Sequence, residues 1–261
     1  MSAFTADWLA LREPADAAAR AARLVAPFAG RVRRVVDLGA GTGANIRYLT
    51  PRLGGAQDWL AVDRDPALLA DLAARAPPEG ARVRTLELDL ATGLDTLPLE
   101  GVDLVAASAL LDLVSAAWLE RLAARCAEAG AGVLFALTYD GRVEWSPADP
   151  GDARMLELVN RHQRTDKGFG PALGPAAALE AAERFSRLGY AIEQARSDWL
   201  LGPDQSALQS ALVDGWAAAA LELAPGERAR CEDWARRRRA HIAAGASRLR
   251  AGHADLAGRR G

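Results

Sequence analysis

The sequence predicts a doubly wound α/β fold built on a mostly parallel sheet. Three observations carry this. Short β-branched runs alternate with alanine- and leucine-rich helical stretches through roughly the first 140 residues. The first of these strands runs into a glycine-rich turn that opens a helix. The length, 261 residues, suits one large domain or one domain with added helices.

The elements follow in order. Pro14 to Phe28 is alanine-rich with apolar residues at helical spacing, a first helix. Arg33 to Leu38 is a strand, and Ala44 to Leu53 the helix after the glycine turn. Trp59 to Val62 is the second strand; Pro66 then suits the first turn of a helix with Asp65 as its N-cap. Arg82 to Leu88 and Val102 to Ala107 are the third and fourth strands. A helix at Trp118 to Glu128 leads to a fifth strand, Gly132 to Thr138. Strand–helix alternation at this spacing gives right-handed crossovers and hence parallel neighbours.

Beyond Tyr139 the pattern loosens. Trp145 to Asp152 is a polar, proline-marked loop, Arg154 to Gln163 a helix, and Lys167 to Pro175 a loop punctuated by glycine and proline. A helix at Pro175 to Leu188 and a strand at Tyr190 to Arg196 precede two helices, Asp204 to Leu223 and Glu227 to Ala246. Ser247 to Leu256 is expected as a closing strand. No repeat or long linker interrupts the chain, so residues 1–261 are expected as a single domain. Residues 30–140 would be its ligand-binding half, and 141–261 a substrate-side loop, helical cover and last strands.

Composition narrows the function. Hydrophobic residues make up 50% and charged residues 25%, which excludes a disordered or collagen-like chain. No apolar run approaches the ~20 residues of a membrane span. Asp7 and Glu13 sit where a signal peptide would carry a basic patch and an apolar core, so the expected location is cytoplasmic. A formal net charge of −2 argues against nucleic acid as the main partner. The Arg236–Arg239 run has no interleaved aromatic residues and reads as a solvated helix face. Cys126 and Cys231 are isolated, so neither a disulfide frame nor a metal site is expected. One oddity remains: Lys167 is the only lysine among 32 basic residues.

The strongest signal is Val35-Val36-Asp37-Leu38-Gly39-Ala40-Gly41-Thr42-Gly43-Ala44-Asn45. Glycines between strand and helix let the backbone approach a ligand and expose amide donors. The same letters fit the dinucleotide fingerprint, so a nicotinamide-dependent oxidoreductase is a competing reading. Asp37 can pair with a ligand ammonium and would repel a pyrophosphate. Asp63 ends the second strand, where it can accept ribose hydroxyls, and Asp89 follows the third, where an adenine amino group can sit. An amine, a ribose diol and an adenine in one ligand match S-adenosylmethionine.

At these residues the sequence resembles the class I S-adenosylmethionine-dependent methyltransferases. The first family motif is matched by Asp37 to Asn45, the second by Asp63, the third by Asp89-Leu90, with a looser match through Thr138. The resemblance implies a seven-stranded sheet of order 3-2-1-4-5-7-6 with the last strand antiparallel. It implies that Gly39, Ala40, Gly41, Gly43 and Asn45 line the cofactor together with Asp37. Asp63 and Arg64 would lie at the ribose, Asp89 and Leu90 at the adenine, and Ser108 beside the methyl group. Arg12, ahead of the first strand, is the candidate for the methionine carboxylate.

The acceptor side is read from position. Ligands bind at the carboxyl ends of parallel strands, which brings forward Asp112, Tyr139, His162, Asp166 and Lys167. Asp112 and His162 are candidate bases, Asp166 a partner for a substrate amine, and Lys167 for a carboxylate or phosphate. No Asn/Asp-Pro-Pro-aromatic motif and no Pro-Cys loop is present, so a small-molecule acceptor is expected, in a monomer or homodimer. The alternatives are the oxidoreductase and a cofactor-binding scaffold without catalysis. The first lacks any Tyr-x-x-x-Lys pair, since Gln163 stands four residues before Lys167.

Overall fold

A computed structural model describes residues 5–260 and begins with helix α1 (Ala6–Ala19). The Thr5 hydroxyl caps it, accepting from the Trp8 amide at 3.2 Å. Periodicity placed this helix at Pro14 to Phe28; instead Pro14 lies inside it, and Ala22–Leu24 and Ala26–Phe28 are single 3-10 turns. The helix stops because Arg20 turns to extended backbone and sends its guanidinium to Asn45 at 2.6 Å.

The alternating half follows the sequence closely: β1 (Arg34–Leu38), α2 (Ala44–Leu53), β2 (Gln57–Asp63), α3 (Pro66–Ala74) and β3 (Ala81–Glu87). Then come a single turn α4 (Leu90–Gly93), β4 (Leu104–Ser108), α5 (Ala116–Ala129) and β5 (Gly132–Ser146). Asp65 caps α3 as expected, accepting from the Ala67 amide at 2.9 Å. The second half contains α6 (Asp152–His162), α7 (Ala177–Arg187), β6 (Tyr190–Arg196), β7 (Trp199–Leu201), α8 (Ser206–Leu223), α9 (Arg228–Ala243) and β8 (Arg248–Arg260).

The sheet order is β3-β2-β1-β4-β5-β8-β6, with β5 and β6 both antiparallel to β8. This is the expected order with the closing strand inserted beside the fifth. Seven strands were expected and eight are present among the described residues. The extra one, β7, pairs Trp199 with Ala251 and Leu201 with Leu249; three residues are too few to carry a period. A second departure is the length of β5, which runs on to Ser146 where a loop was expected from Trp145. Two register shifts, at Phe135/Thr138 and Tyr139/Val143, break the alternation that would have revealed the extension.

Apolar side chains fill both faces of the sheet. Val36, Leu38, Val105 and Phe135 pack under α5 and α7, and Val35, Trp59, Leu104 and Leu134 under α2. A third cluster joins Trp145, Met155, Trp199 and Trp234 beneath α6, α8 and α9. Among the described residues no helix is long and apolar enough to cross a membrane.

Candidate active site

The glycine turn follows from backbone geometry. Gly39, Gly41 and Gly43 have φ of 66°, 51° and 83°, the left-handed region that side chains resist. Their near surroundings are crowded. A Cβ on Gly41 would lie 2.9 Å from Leu9 of α1, and one on Gly39 would meet Leu110 at 3.7 Å. The turn thus sits between α1 and the loop after β4. Arg47 clamps it, giving hydrogen bonds of 2.7 and 2.6 Å to Glu13 and one of 2.6 Å to the Thr42 carbonyl.

Asp37 is buried beneath the turn. Its Oδ1 accepts from the Asn45 amide nitrogen at 2.6 Å, while Oδ2 is buried without a partner. Burial pushes its carboxyl up to about 7, against the pull of the Asn45 bond and the Arg20 guanidinium. Asp63 closes the turn from the other side. Its Oδ2 accepts the Gly41 amide at 2.8 Å and its Oδ1 the Asp65 amide at 3.0 Å. In a pyrophosphate site that Gly41 amide would face the anion; here a carboxylate holds it. Asp89 is exposed and caps α4 through Ala91 at 2.9 Å, with Leu90 buried beside it. Arg64 is exposed, and Ala40 is buried with its amide on the Val62 carbonyl at 3.0 Å.

Strain marks the neighbouring strand ends. Ala109, directly after Ser108, and Leu137 in β5 both take positive φ without being glycine, at 52° and 55°. Each such conformation costs about 1–3 kcal/mol and persists only where surroundings fix it. The Ala109 amide bonds the Ala136 carbonyl at 2.9 Å, and the Leu137 amide bonds Asp255 at 2.8 Å.

Asp112 lies in the turn after β4, 6% exposed, with Oδ1 buried and unpartnered. Burial raises its carboxyl to about 6; backbone N–H groups at Asp112 and Tyr139 and the charges of Arg12 and Lys167 oppose the rise. The loop carrying Lys167 is tied alongside, with the Leu173 amide on the Val114 carbonyl at 2.8 Å. Lys167 Nζ contacts His162 Nδ1 at 3.1 Å and the Thr165 hydroxyl at 3.0 Å, and His162 Nε2 lies 2.9 Å from Glu222. Donation from the ammonium makes Nδ1 the acceptor, so Nε2 carries the proton toward Glu222. Desolvation lowers the Lys167 ammonium.

Three other expected residues have distinct surroundings. Asp166 Oδ1 accepts from the amides of Gly168 and Gly170 at 2.6 and 3.0 Å, stapling its own loop. The Tyr139 hydroxyl donates to Asn160 at 2.9 Å, and burial raises it above its ordinary value. Arg12 stacks on Trp199 at 5.0 Å and forks onto Asp16 at 2.8 and 3.1 Å. Its charge reaches Asp112 and His253.

Sequence reading missed His253, Asp255, Arg20 and Asn160. His253 faces Tyr139 across β5 and β8, with ring centroids 6.0 Å apart, and lies 5.0 Å from Trp199. Burial first, then the Arg12 charge, lowers it to about 3, so it is neutral at pH 7. Its Nδ1 donates to the Ala251 carbonyl at 3.1 Å, which leaves the lone pair on Nε2.

Residues 35–130 match the family model described as "Methyltransferase domain". That segment is an S-adenosylmethionine-dependent methyltransferase domain. The sheet agrees: geranyl diphosphate methyltransferase, solved with its diphosphate and sinefungin, aligns with TM-score 0.50 and 14% identity, covering 92% of this chain and 77% of that one. The enzyme of that activity from Streptomyces coelicolor A3(2) gives 0.48 at 13% identity, over 92% and 76%. A cyclopropane synthase from Mycobacterium tuberculosis gives 0.47 at 13%, over 99% and 86%. No curated protein matches the chain by sequence. Asp37 Oδ2, buried and unpartnered beneath the glycine turn, is chemically suited to accept from a cationic donor such as an ammonium.

Proposed function

We propose that this methyltransferase acts on a small-molecule acceptor seated between the loop after β4, the Lys167 loop and the end of β5, with Asp112 taking the acceptor's proton. The observation that carries this reading is the Asp112 carboxylate. It is buried two residues after Leu110, the side chain nearest Gly39, with one oxygen unpartnered and a proton affinity raised to about 6. A group poised near the working pH is what general-base transfer from an alcohol or ammonium needs.

S-adenosylmethionine, when bound, supplies a methyl group already activated on a sulfonium. Asp37 would hold its ammonium, with Asn45 orienting the carboxylate through the 2.6 Å bond. Gly39, Ala40, Gly41 and Gly43 would line it, Asp63 and Arg64 lie at the ribose, Asp89 and Leu90 at the adenine, and Ser108 near the methyl. Positioning alone can supply roughly 7–11 kcal/mol of the barrier in well-aligned systems. Tyr139, His162, Asp166 and Lys167 would wall the acceptor site, with Arg12 and Lys167 holding Asp112 ionised. Residues 30–140 then serve as the cofactor half and 141–261 as the cover of a single domain. A solved structure of similar fold that holds geranyl diphosphate supports a small-molecule acceptor.

The Gly41 amide bound to Asp63 weighs against dinucleotide binding. S-adenosylhomocysteine should therefore raise the melting temperature and NAD should not; the inverse would overturn the cofactor reading. Asp63→Ala should weaken S-adenosylhomocysteine at least tenfold, from ~1.5–3 kcal/mol per charged hydrogen bond. Transfer of labelled methyl into metabolite extracts separates an enzyme from a silent scaffold. Asp112→Asn should cut that transfer about a hundredfold with S-adenosylhomocysteine affinity unchanged. Full turnover in the variant would remove Asp112 from the reaction.

A further inference from the structure

A cleft of about 260 Å³ opens between α6, α8, α9 and the extended end of β5, away from the glycine turn. Its floor is Val143, Met155, Val159 and three tryptophans, Trp145, Trp216 and Trp234. Trp145 stands edge-on to Trp216 (5.8 Å, 83°) and to Trp234 (6.4 Å, 78°), so the rings form perpendicular walls. The mouth lies at the exposed Ala153 and half-buried Leu156, on the α6 face that also carries Met155 and Val159.

The walls are held rigidly. Arg238, fully buried, lies 4.9 Å from the Trp145 ring centre, donates to the Pro147 carbonyl at 2.7 Å and pairs with Asp152. The Trp234 indole also donates to Asp152, at 2.9 Å. Position 151 is glycine where a Cβ would lie 2.9 Å from the Trp234 ring. Asp152 is the only charged residue lining the cleft among the described residues, and its carboxylate is fully engaged by Arg238, Trp234 and the Asp149 amide.

We propose that this cleft is a binding site for a small, flat, uncharged aromatic ligand. Size sets the scale: an apolar cavity of ~150 Å³ holds one benzene ring and stays dry when empty, so about 260 Å³ accommodates two fused rings. Perpendicular tryptophans favour an aromatic guest, which stacks on one ring and meets the edge of another. The saturated Asp152 excludes a charged guest, which would lose its hydration and gain no partner. The proposal does not depend on methyl transfer.

Coumarin, neutral and bicyclic, is the probe. It should quench the tryptophan emission of the full-length protein saturably. The charged bicycle 1-naphthoate should bind at least tenfold more weakly. Val159→Phe should fill the floor and Leu156→Phe the mouth, each weakening coumarin at least tenfold while the S-adenosylhomocysteine melting shift stays unchanged. Linear, unsaturable quenching by coumarin, equal affinity for naphthoate, or full affinity in whichever of the two variants folds would each overturn the site. Loss of the S-adenosylhomocysteine shift in the unmodified protein would instead count against the cofactor reading and leave the cleft standing.

Discussion

Lys167 gathers three features on one side chain: it is the chain's only lysine, it is anchored by His162 and Thr165, and its charge acts on Asp112. An ammonium offers three donors from one point, whereas a guanidinium offers a planar fork. Arginine at this position cannot reach both anchors from the same place, so Lys167→Arg is expected to lower turnover despite keeping the charge. Lys167→Met removes a positive charge that favours Asp112 ionised. The basic form of Asp112 then appears at higher pH, and the acid limb of kcat/KM should move upward from about 6 by a few tenths of a unit. A pH–rate profile reads the shift. A limb that stays in place in Lys167→Met, with reduced turnover, would assign Lys167 to loop structure alone.

At the scale of elements, Asp255 of β8 fastens two distant segments. Its two oxygens accept the Leu137 amide within β5 and the Ala21 amide just after α1, both at 2.8 Å. The first of these amides belongs to a left-handed residue, so one carboxylate holds both the strained bulge and the chain leading from the helix over the glycine turn. Asp255→Ala leaves two sequestered donors without an acceptor and should cost about 2–5 kcal/mol; Asp255→Asn keeps one acceptor and should cost roughly half. Urea unfolding measures both, and equal stability of Ala and wild type would show that the bulge holds itself. The same carboxylate explains why part of the site was illegible. The glycine turn and the aspartates Asp37, Asp63 and Asp89 were visible because strand, turn and helix signals surround each within a few residues. His253 and Asp255 reach β5 from more than a hundred residues away and belong to no local pattern. The three residues of β7 and the bulged end of β5 lack the period that reveals a strand, and Arg20 ended α1 through a contact with Asn45 that no spacing rule encodes.

For the whole molecule, the buried carboxylates link folding, protons and ligand. Asp37 holds its proton up to about 7 in the fold, against 3.8 ordinarily, so the unliganded fold binds that proton more tightly than the unfolded chain does. Its contribution to stability is therefore present at low pH and is lost as pH rises from about 4 to about 7. Asp112 acts in the same direction up to about 6. His253, lowered from 6.5 to about 3, acts oppositely: the fold gains stability as pH rises between those values. Approaching pH 7, Asp37 carries the largest remaining share of the change among these three. A cofactor ammonium beside Oδ2 holds Asp37 ionised and cancels its loss. The melting shift produced by S-adenosylhomocysteine should then grow from pH 5.5 to about 7. Its affinity should fall about tenfold for each unit below that. Only at distinctly alkaline pH, where the ligand's own amine loses its proton, should the affinity decline again. Calorimetry across this range should trace an acid limb that levels off above about 7, and Asp37→Asn should bind more weakly and lose that limb. An affinity flat from pH 5.5 to 7.5 would mean that the ammonium lies elsewhere and that the orphaned oxygen under the glycine turn serves the fold alone.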